Sequence, residues 1–92
     1  YLELKRNGFE VWVGVLRNKE VDFVAKKDDR TIYLQSTYML IDKSTIDREY
    51  SSLEAINDNF EKIVVSLDDF SLPIKEGIKH IRAWELSNFL KN

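Results

Sequence analysis

EVDFVAKKDDRTIYLQST, residues 20–37, is the stretch on which the reading of this chain turns. EVDFVAKK (20–27) reads as one strand and TIYLQSTY (31–38) as the next, because both are rich in β-branched and aromatic residues. Asp28-Asp29-Arg30 is a tight polar connection, so the two strands run antiparallel. Residues i and i+2 on a strand share a face. Glu20 therefore pairs with Asp22, and Gln35 with Thr37, and across a hairpin the two pairs can face one another. A magnesium-dependent nuclease needs two carboxylates close together to hold its cation, and benefits from a lysine near the developing charge. This hairpin offers the acids on one strand and uncharged groups on the other.

Working outward, Leu2, Leu4 and Phe9 flank Lys5-Arg6-Asn7-Gly8, the last turns of a helix. Its basic residues suit the negative end of the helix dipole, and Gly8 suits the left-handed closing position. Glu3 on this helix is placed to reach the hairpin from above. FEVWVGV (9–15) alternates as a strand, which gives a three-strand meander with the quoted pair. Ser44-Thr45-Ile46-Asp47 resembles a capping box opening a helix. Ile46, Tyr50, Leu53 and Ile56 make its packed face, and Asp47, Arg48, Glu49 and Glu54 its solvated one. Asn57-Asp58-Asn59 ends it. EKIVVSL (61–67) is a continuous apolar run, expected as a central strand covered on both sides and parallel to the strand before the helix. After a loop from Asp68 to Gly77, IKHIRA (78–83) is a short strand and WELSNFLKN (84–92) a closing helix. The predicted order is α-β-β-β-α-β-β-α, an α/β (α+β) single domain with a mixed sheet between helices.

Ninety-two residues make one small domain, and 43% hydrophobic content is enough for a folded globule. Without cysteine, neither a disulfide framework nor a thiolate zinc site can form, which leads us to expect a cytoplasmic protein. No apolar run approaches the roughly 20 residues needed to cross a bilayer. The chain opens YLELKRNGF, without methionine and partway through a helix, and so is expected to be a piece of a longer protein. A net charge of −2 argues against a general nucleic-acid binder. The acids concentrate in the middle of the chain, however, which leaves Lys5, Arg6, Lys26 and Lys27 as a candidate basic patch.

Several segments carry a family resemblance: Y-x-E-L-x-R-x-G-F-E-V-x-V-G (1–14), E-V-D-F-V-A (20–25), I-Y-L-Q-S-T-Y-x-L (32–40), T-I-x-R-E-Y-S-x-L-x-x-I-x-D-N (45–59) and G-I-K-H-I (77–81). Together they resemble the C-terminal domain of unknown function found behind the ATPase module of many prokaryotic AAA-type ATPases. The strand order and the carboxylate of the second strand resemble the PD-(D/E)XK nuclease-like, or restriction-endonuclease-like, fold. The resemblance implies that fold and an ATPase in the same chain. It sets Asp22 at the metal-binding Asp of such nucleases, Gln35 where an acid belongs and Thr37 where the lysine belongs. A neutral carbonyl is a weaker ligand for a hard cation than a carboxylate, and threonine cannot neutralise an anion. No cofactor is expected, or magnesium if the site is active with Asp22, Glu3 and Glu20 as ligands.

Other motifs point nowhere sharper. His80 is the only histidine, and one imidazole makes no zinc site, so a packed or surface role is expected. Ser36, Ser44 and Ser66 have no obvious base, and neither a G-x-S-x-G elbow nor a phosphate-binding loop is present. Trp12, Tyr33, Tyr38, Tyr50, Phe60 and Trp84 are expected mostly in the core. Three functions stay open. One is a noncatalytic accessory domain recognising a protein or nucleic-acid partner for the ATPase. The second is an active magnesium nuclease, and the third a structural or oligomerising module.

Overall fold

Gly8 ends the first helix as its position predicts. α1 (Leu2–Arg6) runs into Gly8 at φ +85°, a region glycine enters without steric cost. That conformation lets the Gly8 amide donate to the Lys5 carbonyl at 3.0 Å and the Phe9 amide to the Leu4 carbonyl at 3.0 Å, the paired bonds of a Schellman closure. Lys27 Nζ caps the same end by donating to the Asn7 carbonyl at 2.8 Å. The turn brings Phe9 and Leu4 into one apolar cluster.

A computed structural model describes residues 2–16, 19–40, 42–56 and 58–91. After α1 come β1 (Glu10–Leu16), β2 (Lys19–Lys27), β3 (Arg30–Ser36), α2 (Lys43–Glu54), β4 (Glu61–Ser66) and β5 (Ile78–Arg82). A 3-10 turn (Ala83–Glu85) then leads into α3 (Leu86–Leu90), so the expected single closing helix is split. The five strands form one mixed sheet in the order β1-β2-β3-β4-β5. β1–β2 and β2–β3 are antiparallel, whereas β3–β4 and β4–β5 are parallel. The two-residue connection between β2 and β3 places Asp28 at φ +53°, which aspartate tolerates better than bulkier residues.

Helices cover both faces. Leu4, Phe9, Ala25, Ile32, Leu34, Ile63, Val65, Leu86 and Leu90 form the core under α1 and α3. Val21, Tyr33, Leu40, Tyr50, Leu53, Val64 and Ile78 form the core under α2. Alternation along β3 and β4 divides their side chains between the two cores. β4 is buried from Lys62 to Ser66, as a central strand covered on both sides must be.

Two expectations about α2 change. Its N-cap is Asp42, whose carboxylate accepts from the Thr45 amide at 2.8 Å and from the Ser44 hydroxyl at 2.9 Å. Ser44 thus lies inside the helix, because a carboxylate complements the exposed amides more strongly than a hydroxyl. Glu49 belongs to the expected solvated face, yet its side chain is only 15% exposed.

Buried cations are compensated locally. Lys62, inside the apolar run, donates to Asp58 Oδ1 and to the Asp58 and Phe60 carbonyls, each at 3.0 Å. Tyr33 donates to the other Asp58 oxygen at 2.8 Å, and burial with that bond pushes the phenol up to about 12. Arg30 grips Glu61 through Nε at 2.6 Å and Nη2 at 3.0 Å. It also donates to the Leu90 carbonyl at 3.0 Å, tying the end of α3 to the sheet.

A Cβ at Gly8 would meet only the flexible Lys27 side chain, at 3.5 Å or more. The cost of Gly8→Ala is therefore conformational, about 1–2 kcal/mol for an L-residue held in the left-handed region. Urea denaturation checks it, with an unchanged midpoint refuting this account of the turn.

Candidate functional site

The pairing of β1 with β2 slips at the site. Trp12 pairs with Val24 but Gly14 pairs with Val21, so Asp22 and Phe23 together oppose Val13 and the extra residue is on β2. Val21 and Val24 consequently both pack toward α2 although three positions apart. A bulge of this kind bends a strand and re-aims a side chain.

Asp22 and Gln35 take over the β2–β3 ladder where backbone pairing stops at Phe23–Leu34. The Asp22 amide donates to Gln35 Oε1 at 2.6 Å. In return Asp22 Oδ2 accepts from the Ser36 amide at 2.8 Å, with the Ser36 hydroxyl at 3.5 Å. Gln35 is buried, 6% exposed, so its amide oxygen is fixed on a protein donor. Glu49 of α2 approaches the same place. Burial lifts its carboxyl above the usual range, the Asp22 charge adds to this, and Arg48 opposes it.

The other candidates separate. Thr37 continues the β3–β4 pairing through its amide, which donates to the Val65 carbonyl at 3.0 Å. Glu3 is not brought to Asp22: its carboxylate pairs with Arg6 at 3.1 Å, and α1 packs with α3 on the face opposite α2. The Glu20 side chain lies outside the described residues. The basic quartet is divided too. Lys26 and Lys27 are neighbours on β2 and point to opposite faces. Lys27 is held at Asn7 and over the Phe9 ring, while Lys5 is exposed on α1.

Magnesium, the ion the resemblance implies, demands near-octahedral hard oxygen ligands. Here the Gln35 carbonyl is aimed at a backbone amide, one Asp22 oxygen accepts from another, and burial holds the Glu49 carboxyl above its usual range. Among the described residues no three acidic or imidazole side chains gather as ligands. The described donors do not fit that ion.

A second polar group was missed in sequence. Ser66, Asp68 and His80 are all buried; Ser66 and Asp68 lie at the carboxyl end of β4 and His80 in the middle of the parallel β5. The Leu72 amide donates to His80 Nδ1 at 2.9 Å, so in the neutral ring the proton sits on Nε2. That nitrogen faces Ser66 Oγ at 2.7 Å, and the Ser66 hydroxyl donates to Asp68 Oδ2 at 2.6 Å. Asp68 Oδ2 also accepts from the Leu40 amide at 2.8 Å. Serine, not histidine, is central, and the histidine nitrogen facing it already bears a proton. The arrangement therefore cannot activate a nucleophile; it fastens the 67–77 loop to the sheet. Only the register, which aligns Ser66 with Arg82 and Val64 with His80, brings these residues together.

The aromatic expectation also divides. Tyr33 and Tyr50 are core, but Trp12, Tyr38, Phe60 and Trp84 are 48–76% exposed. Tyr38 and Trp84 join half-exposed Leu67 and Phe70 beyond the carboxyl ends of β3, β4 and β5. Leu67 is bonded to Tyr38 through its amide at 2.9 Å, and Arg82 stacks on Trp84 at 5.5 Å.

The chain is similar to an uncharacterized protein of Haemophilus influenzae, 36% identical over 81 residues that span 88% of this chain and 20% of that protein. It thus covers about a fifth of the length of the curated relative it matches. No family model and no solved structure matches it. Among the described residues no helix is long and apolar enough to cross a membrane.

Burial holds His80 below the ordinary imidazole range, with Asp68 and Glu85 opposing and Arg82 reinforcing. The unfolded chain therefore binds the extra proton first, and stability falls as the pH drops through that range. Glu49 is raised and Asp42, Asp58 and Glu85 are lowered from the ordinary carboxylate range, and these groups are present in both the native chain and a His80 variant. Thermal melts from pH 8 to pH 5 should show this decline in the native chain and a flatter profile in His80→Phe. Identical slopes would remove His80 from the account.

Proposed function

We propose that this chain is a noncatalytic recognition domain on a restriction-endonuclease-like scaffold, working for an AAA-type ATPase in the same cytoplasmic protein. The observation that carries the reading is the reciprocal bonding of Asp22 with Gln35 and Ser36. Groups that would hold a cation in a cleaving relative instead complete the sheet. The length of the Haemophilus influenzae relative supports a domain embedded in a larger chain.

The exposed aromatic rim beyond β3–β5 and the divided, partly engaged basic residues favour a protein partner over a nucleic-acid one. Duplex binding needs cations gathered on one surface, where each phosphate contact releases counterions. Here Arg6 is matched by Glu3 and Arg82 by Glu85 at 2.7 Å.

The double substitution Gln35→Glu and Thr37→Lys tests the reading. The native chain should leave DNA and RNA intact with magnesium or manganese, and the double variant should gain manganese-induced NMR shifts at Asp22 while hydrolysis stays at background. Cleavage by the native chain that Asp22→Asn abolishes would establish the nuclease instead.

A further inference from the structure

The two edges of the sheet are treated differently. β5 carries Lys79 and Arg82, and the segment before it folds back on its start through reciprocal Lys75–Ile78 backbone bonds of 2.9 and 3.1 Å. The Leu72 amide on His80 holds that segment in place. Such charges and coverings are how folded proteins protect an edge. β1 carries a single charge, Glu10 at its start, and no such covering among the described residues. From Val11 to Leu16 it contains no charge and no proline. Val13 is 81% exposed and Trp12 48%. Among the described residues no strand lies on its outer side, and the register slip has its extra residue on β2, which leaves β1 itself regular.

The sequence of β1 also says what fits it. Read antiparallel against itself about Val13, VWVGV (11–15) is self-complementary. Val13 meets Val13, Trp12 meets Gly14, and Val11 meets Val15. A large ring opposite glycine is a favourable cross-strand pair, since the indole covers backbone that glycine leaves bare. Trp12 and Gly14 are two apart and share a face, so both indoles can lie over the opposing glycines at once. A dyad perpendicular to the sheet also keeps both α2 layers on one side, and such an isologous contact closes on itself.

We propose that β1 pairs with β1 of a second copy of this chain, centred on Val13, to make a continuous ten-stranded sheet. The pairing surface is the outer side of β1, whereas Asp22 lies on its inner side across the bulge, and the proposal does not depend on the role given to the Asp22–Gln35 site.

The absence of native cysteine makes the register measurable. Paired Val13 residues would have Cα atoms about 4.5–5.5 Å apart, within disulfide range. Two Val11 residues would sit about 13 Å apart along the strands. Under mild oxidation Val13→Cys should form a covalent dimer at least about tenfold faster than Val11→Cys. Sedimentation of the native chain should show a reversible dimer, and Val13→Lys, checked for folding by circular dichroism, should weaken it about tenfold or more, because two ammonium groups then meet at the dyad. Equal oxidation rates, or a native chain monomeric at every concentration, would overturn the proposal. If the lysine unfolds the chain, the ratio of the two oxidation rates still decides.

Discussion

The β2–β3 ladder is finished by side chains. Past Phe23–Leu34 the strands no longer pair by backbone alone, and Asp22 and Gln35 supply the missing acceptors in a reciprocal pair of bonds. The Asp22 amide is part-buried and the Ser36 amide exposed, so each bond contributes about 0.5–1.5 kcal/mol net, and together they fix the conformation of the site and its chemistry. The bulge aims Asp22 at Ser36, the Gln35 oxygen meets the Asp22 amide, and Glu49 is drawn into a place where burial favours its neutral form. A cation would have to break these bonds before it could replace them.

The same principle governs the carboxyl end of β4 and the middle of β5. Ser66, Asp68 and His80 form a directed chain of hydrogen bonds whose protons are all assigned to structural acceptors. Composition alone would put a serine, an acid and a histidine among catalytic candidates; geometry makes them the anchor of a loop. At the opposite end of the sheet, Lys62 with Asp58 and Arg30 with Glu61 likewise spend their charge on local partners. Outside these networks, exposed Trp12, Tyr38, Phe60 and Trp84 and the outer side of β1 are left uncovered by strands among the described residues.

Much of the fold was legible because periodicity and punctuation agree. Gly8 announces a helix end, Asp28-Asp29 a hairpin, and the 61–66 run a strand buried on both faces. The resulting mixed sheet between helices is what the element order predicts. The misses have physical causes. The capping role of Asp42 was hidden by Ser44, which offers a plausible but weaker acceptor nearby. Glu49 was read as solvated because helical spacing cannot show which rim of a helix meets a strand end. The Ser66–His80 contact spans 14 residues and exists only through parallel register. The bulge did leave a trace: Val21, Phe23 and Val24 break strict alternation, as an extra residue requires. Strand spacing paired Glu20 with Asp22 and Gln35 with Thr37 across a hairpin, and of these the structure joins Asp22 to Gln35, whereas Glu3 was misplaced because spacing does not say which face of the sheet a helix covers.

The claim that Asp22 and Gln35 close the ladder is tested most directly by amide hydrogen exchange at Asp22 and Ser36. The account predicts protection at both positions, unchanged by magnesium or manganese, with Ser36 losing its protection in Asp22→Ala. Rapid exchange of both amides in the native chain, or protection that appears only when the metal is added, would contradict it.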